Sequence, residues 1–155
     1  MTDIKLLIGE TVSGRITHTL EGNELPTSLR WTDVLNRAGS IEGVTIPEAV
    51  VRKYNLKQHT HEWRCFLAVE VNGRIKQAGP IVTRPWDPVK GELTIGARGI
   101  WAWLDKRIVQ PPNVIEPFAE QSFTVTGKSL GGIGRALVER ARGAAGYSLL
   151  PIVLP

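Results

Sequence analysis

Three features of this chain predict a mainly β fold with some helix, of the α+β class. They are a run of strands and tight turns from Cys65 to Arg107, an alternating segment ending at Pro47, and one amphipathic helix between Ser129 and Gly143. Cys65 to Val71 is rich in strand-forming residues, and Asn72-Gly73 suits the positive φ angles of a type I′ hairpin turn. A return strand starts near Arg74, with Ile75, Gln77, Gly79, Ile81 and Thr83 expected on one face. Pro85 and Pro88 around Trp86-Asp87 punctuate its end before a third strand, Glu92 to Ala97. Gly99 to Arg107 reads as a short aromatic helix, apolar nearly all round and so expected in a core, with Lys106 and Arg107 at its favourable C-terminal end.

The remaining elements follow from the same patterns. Strands are expected at Ile4 to Ile8 and Ser13 to Leu20, a turn at Glu21-Gly22-Asn23, and a strand around Ser28 to Trp31. Ser40 to Ile46 alternates cleanly, and Pro47 stops it. Residues 48–62 have few apolar anchors and read as a connecting segment, with at most a helical turn at Pro47 to Val51; residues 110–122 read as a second connector. Phe123 to Thr126 reads as an extended approach to the last helix. There Leu130, Ile133, Leu137, Val138 and Ala141 form one stripe, Ser129 is placed to cap, and Gly143 to stop. Gly131, Gly132 and Gly134 weaken its first turns.

Composition narrows the classes of function. At 155 residues the chain is long enough for one domain held by its own core, with no disulfide required. The single cysteine, Cys65, gives no sign of an oxidising compartment, and no window approaches the length of a membrane span, so a soluble product made in a cytoplasm is expected. The formal charge of +4 is modest and its basic residues are scattered, so nothing argues for nucleic-acid recognition.

Candidate chemical motifs fail on their spacing. Thr126-Gly127-Lys128-Ser129 resembles the end of a phosphate loop, but Ser122 stands where that loop needs its opening glycine. His59, His61, Glu62 and Cys65 offer four ligand-type side chains close together, yet their spacing matches no zinc knuckle, and a polar loop is the commoner explanation. No carboxylate pair is singled out, and no nucleophile elbow is present. Neither an enzyme nor a cofactor is expected. Five tryptophans, Trp31, Trp63, Trp86, Trp101 and Trp103, leave open a carbohydrate-binding module built on stacking faces, while Trp31, Trp101 and Trp103 read first as core aromatics.

Three groups of segments carry a family resemblance. They are Ser28-Leu29-Arg30-Trp31-Thr32-Asp33-Val34-Leu35-Asn36 with Gly39-Ser40-Ile41-Glu42 and Ile46-Pro47, then Val71-Asn72-Gly73-Arg74-Ile75 with Ala78-Gly79-Pro80-Ile81-Val82, then Leu93-Thr94-Ile95 with Ala97 to Arg107. Together with Ile133 to Val138 and the closing Leu149 to Pro155, this order resembles the N-terminal region of minor tail proteins of long-tailed actinobacterial bacteriophages, of the tail-tip or baseplate hub class. The resemblance implies a structural virion protein at the tail tip. It implies a single hub-like domain over residues 1–155, the N-terminal part of a longer protein, with a tail-tube-like β-sandwich or barrel, a flanking amphipathic helix and a short buried aromatic one. It also implies a homotrimer that meets the distal tail protein and other minor tail proteins around a channel for the tape-measure protein and phage DNA. No catalytic, metal or cofactor residue is carried over. Asn72, Gly73, Ile133, Leu137, Leu149, Ile152 and Leu154 are the expected subunit-contact residues.

Overall fold

A computed structural model describes residues 2–26, 28–34, 37–104 and 125–143 of the chain. It is mainly β with a few helices and falls into two units, Met1–Trp103 and Leu104–Pro155. The expected connector at 110–122 and the contact residues Leu149, Ile152 and Leu154 lie outside the described residues.

The first unit is an antiparallel sheet of eight strands: β1 (Ile4–Glu10), β2 (Ile16–Glu21), β3 (Trp31–Thr32), β4 (Ser40–Ile46), β5 (Cys65–Val71), β6 (Arg74–Thr83), β7 (Trp86–Asp87) and β8 (Glu92–Arg98). Their order is β2-β1-β5-β6-β8-β4-β3, with β7 paired to β8. β6 serves two partners. Its first part pairs with β5 as far as Phe66 opposite Pro80, and its last part pairs with β8 through Ile81 opposite Ala97. Side chains from both halves of the sheet meet in one cluster, in which Leu6, Ile8, Leu20, Leu67 and Val69 join Ile41, Val44, Ile46, Ile81, Leu93 and Ile95. Full burial of each such side chain contributes about 1.5–3 kcal/mol of transfer free energy.

Local chemistry explains the turns. Asn72 and Gly73 have φ of 50° and 74°, the left-handed pair that a type I′ turn demands, and Asn72 also accepts a hydrogen bond from the Asp3 amide at 3.0 Å. The β7–β8 turn is tied by the Asp87 carboxylate, which accepts from the Val89 and Lys90 amides at 2.9 and 3.1 Å.

Several sequence expectations need correction. Residues 48–62 are not a mere connector: α1 (Glu48–Lys53) and α2 (Leu56–His59) bury Val51 and Leu56 in the core. Six and four residues are too few for an apolar stripe to repeat, and Asn55 at φ 49° breaks the helices apart. The strand expected from Ser13 starts at Ile16, because residues 11–15 close the β1–β2 turn. Around Trp31 the strand is only two residues long, Trp31–Thr32.

The expected face of β6 is also wrong at one end. A bulge shifts the register so that Gln77 lies opposite Val69 but Ile75 lies opposite Glu70. The extra residue inverts the alternation, leaving Ile75 52% exposed while Ile81 is fully buried. The aromatic helix α3 (Trp101–Leu104) is correctly located but not wholly buried. Ala102 is in the interior and Trp103 half-buried, whereas Trp101 is 57% exposed, so Trp101 is not a core aromatic. Four residues make little more than one turn, which cannot bury every side.

In the second unit, α4 (Leu130–Gly143) starts where expected, with the Ser129 hydroxyl accepting from the Gly132 amide at 3.3 Å. Arg135 and Glu139 pair across one turn at 2.9 Å. Along its apolar stripe Ile133 and Val138 are half-buried, but Leu130 and Leu137 are exposed.

Two glycines separate close approach from mere flexibility. A Cβ at Gly79 would overlap the carbonyl oxygen of Arg98, whereas one at Gly134 meets nothing within 4 Å. Gly79→Ala is therefore expected to cost about 1–3 kcal/mol, read as a lower urea midpoint. Gly134→Ala should instead favour α4 by up to about 1 kcal/mol, read as greater helicity by circular dichroism.

Candidate functional site

Polar side chains gather around a concavity where the β1–β2 turn faces α2 and the start of β5. Here a cleft of about 350 Å³ is lined by Gly9, Glu10, Arg15, Thr17, Gln58, His59, His61, Arg64 and Cys65. The antiparallel pairing of β1 with β5 sets Glu10 opposite Cys65, which brings two distant stretches of sequence to one place.

Backbone hydrogen bonds fix both walls. The Glu10 amide donates to the Arg15 carbonyl, the Cys65 amide to the His61 carbonyl, and the Thr11 amide to the Arg64 carbonyl, each at 2.9 Å. The last of these ties one wall to the other. A bulge between Ile8 and Gly9 leaves Thr17 unpaired in the ladder, and its hydroxyl donates to the Ile8 carbonyl at 3.1 Å. Gly9 forms the floor, since a Cβ there would overlap the Arg15 carbonyl and the Phe66 ring. On the opposite wall the buried Thr60 hydroxyl donates to the Leu56 carbonyl at 2.6 Å and holds the end of α2.

Histidines extend the site along its rim. His18 on β2 packs its ring 4.8 Å from that of His59 on α2 and 5.7 Å, edge to face, from Tyr54. Tyr54 donates to the Glu24 carboxylate at 2.9 Å, and Lys53 pairs with the same carboxylate. Lys53 and Tyr54 together hold the Glu24 carboxyl below the usual range, and Glu24 raises Lys53.

The four ligand-type side chains that the sequence places close together do not all meet. His59, His61 and Cys65 share the cleft without Glu62, and among the described residues no group of three or more such side chains is arranged to hold a metal ion. Burial pushes the Cys65 thiol up, which keeps it protonated at neutral pH and a poor nucleophile.

The tryptophans do not form a stacking platform. Trp31 and Trp86 pack against the core, and Lys57 places its ammonium 3.3 Å over the Trp86 ring. Trp63 meets Trp103 at 79°, edge to face, leaving Trp101 as the exposed indole of the five. Asn72 and Gly73 sit at the exposed tip of the β5–β6 hairpin, and Ile133 and Leu137 on α4 of the second unit. Sequence reasoning missed Gly9, Arg15 and Thr17, whose approach to the histidines depends on strand register. Among the described residues no helix is long and apolar enough to cross a membrane. No family model, curated protein or solved structure matches this chain.

His18 gives the site a measurable acid sensitivity. Burial lowers its pKa from 6.5, and the facing His59 adds to the effect, so the folded state favours the neutral imidazole. The associated stability is full above 6.5 and is lost as pH falls through the lowered folded value, because the unfolded chain takes up the proton first. Thermal melts from about pH 7.5 to about 5 should show a shallower decline for His18→Gln than for the wild type. Equal slopes would remove His18 from this role.

Proposed function

We propose that this chain is a structural component of a bacteriophage tail tip, a hub-type protein joining the tail tube and distal tail protein to the host-facing parts. In that reading it is a homotrimer lining a passage for the tape-measure protein and DNA, in contact with other minor tail proteins. The observation that carries the proposal is where the resembling segments fall. Of the segment Ser28 to Asn36, Trp31-Thr32 is β3; Ser40 to Glu42 and Ile46 lie in β4, Val71 to Ile75 and Ala78 to Val82 fall on the type I′ hairpin and β6, Leu93 to Ile95 and Ala97-Arg98 belong to β8, and Ile133 to Val138 lies in α4. The similarity thus follows the framework of the fold and not the polar cleft, as expected for a protein whose work is to form a wall.

Two physical features support the reading. A long antiparallel sheet with β6 shared between its halves is the kind of framework from which sandwich and barrel modules are made. The second unit carries Leu130 at 86% and Leu137 at 39% exposure on the stripe that also holds Ile133, an apolar surface suited to a subunit contact.

Light scattering on the purified chain over a range of concentrations should reveal a trimer. Leu137→Asp should shift that sample toward monomer while its circular dichroism stays unchanged, since the side chain is exposed. A wild-type chain that stays monomeric when mixed with its neighbouring tail proteins, or unimpaired assembly of the variant, would overturn the proposed contact.

A further inference from the structure

The cleft at the β1–β2 turn lies outside the framework segments, so its ligand stands or falls independently of the tail role. Its chemistry is one-sided. Arg15 and Arg64 supply guanidiniums, His59 and His61 imidazoles, Gln58 an amide and Cys65 a neutral thiol, all capable of donating hydrogen bonds. The single carboxylate, Glu10, already accepts from the Ser13 hydroxyl at 2.8 Å. Among the described residues neither Arg15 nor Arg64 is paired with a carboxylate, whereas Lys5, Arg52, Lys53 and Arg135 are.

We propose that this cleft binds a phosphate monoester, with the Arg15 and Arg64 guanidiniums on the phosphate oxygens and Gln58 and the histidines completing the donor set. Three observations carry the assignment. The Thr11–Arg64 backbone hydrogen bond holds the two arginine-bearing segments together, so their convergence is built by the main chain. Planar guanidinium forks match tetrahedral oxyanions through paired hydrogen bonds, and in a cleft with one engaged carboxylate they meet little competition. The volume of about 350 Å³ exceeds what a bare phosphate fills and suits a small esterified group, at the lower end of small-molecule clefts.

The test is a titration of the isotope-labelled full chain with glycerol 3-phosphate, followed by amide NMR, with inorganic phosphate and glycerol as separate arms. Saturable shifts confined to residues 9–17 and 58–65 are expected, with the ester binding more tightly than inorganic phosphate and glycerol producing no shift. R15Q/R64Q should weaken the ester by about tenfold or more with an unchanged melting temperature, both side chains being exposed. Shifts mapping elsewhere in the wild type, or full competition by chloride at matched ionic strength, would overturn the site, as would unaltered affinity in the double variant. If inorganic phosphate binds as tightly as the ester, the cleft is an oxyanion site only and the monoester assignment fails.

Discussion

β6 changes partners midway, and the rest of the first unit depends on that passage. Up to Pro80 it hydrogen-bonds toward β5; from Ile81 it bonds toward β8. Pro80 has no amide proton to contribute to either ladder, so its place at the handover costs less than it would in the middle of a regular strand. Gly79 beside it lets the backbone of Arg98 and Gly99 approach more closely than any side chain would allow. Both halves share this strand, and Leu67 and Val69 lie in the same core as Ile46, Leu93 and Ile95. Val51 and Leu56 then seal it from α1 and α2.

Bulges decide which side chains belong to that core. The shift between Val69 and Glu70 turns Ile75 outward, and the shift between Ile8 and Gly9 releases Thr17 toward the cleft. Each adds one residue to one strand and inverts the alternation beyond it. The clean alternation expected of β4 fails for the same reason: Ile41 and Val44 are three positions apart where their partners Ala97 and Ile95 are two apart, so Glu42 and Gly43 are both exposed while Ile41, Val44 and Ile46 are buried. Local signals were legible wherever the cause is local: the Asn72-Gly73 turn, the Ser129 cap, the strands from Cys65 and Glu92. They failed at residues 48–62, where burial of Val51 and Leu56 by distant strands, and not helical periodicity, stabilises two short helices.

The candidate site shows the same division between local and distant causes. His59, His61 and Cys65 stand together in sequence, and their proximity to one another could be seen there. Arg15, Thr17 and Gly9 join them only through the β1–β5 register and the closed β1–β2 turn, which no composition or spacing reveals. Distance in sequence also changes the chemistry. Seen alone, two histidines and a cysteine suggest a cation; with Arg64 beside them and Arg15 across the cleft, the electrostatics favour an anion.

The two ends of the sheet differ in what they offer a partner. β3 has two residues, while β2 has six and occupies the other edge. Sheet edges expose unpaired backbone groups unless they are short or covered, so β2 is the edge that an assembly must use or protect. His18 touches Tyr54 and His59 through its ring, and the strand's outer amides and carbonyls are without a ladder partner among the described residues. A subunit added there would extend the framework past the rim of the cleft. Strand pairing along β2 and ligand access to Arg15 would therefore be linked, because Arg15 closes the β1–β2 turn immediately before that edge begins at Ile16.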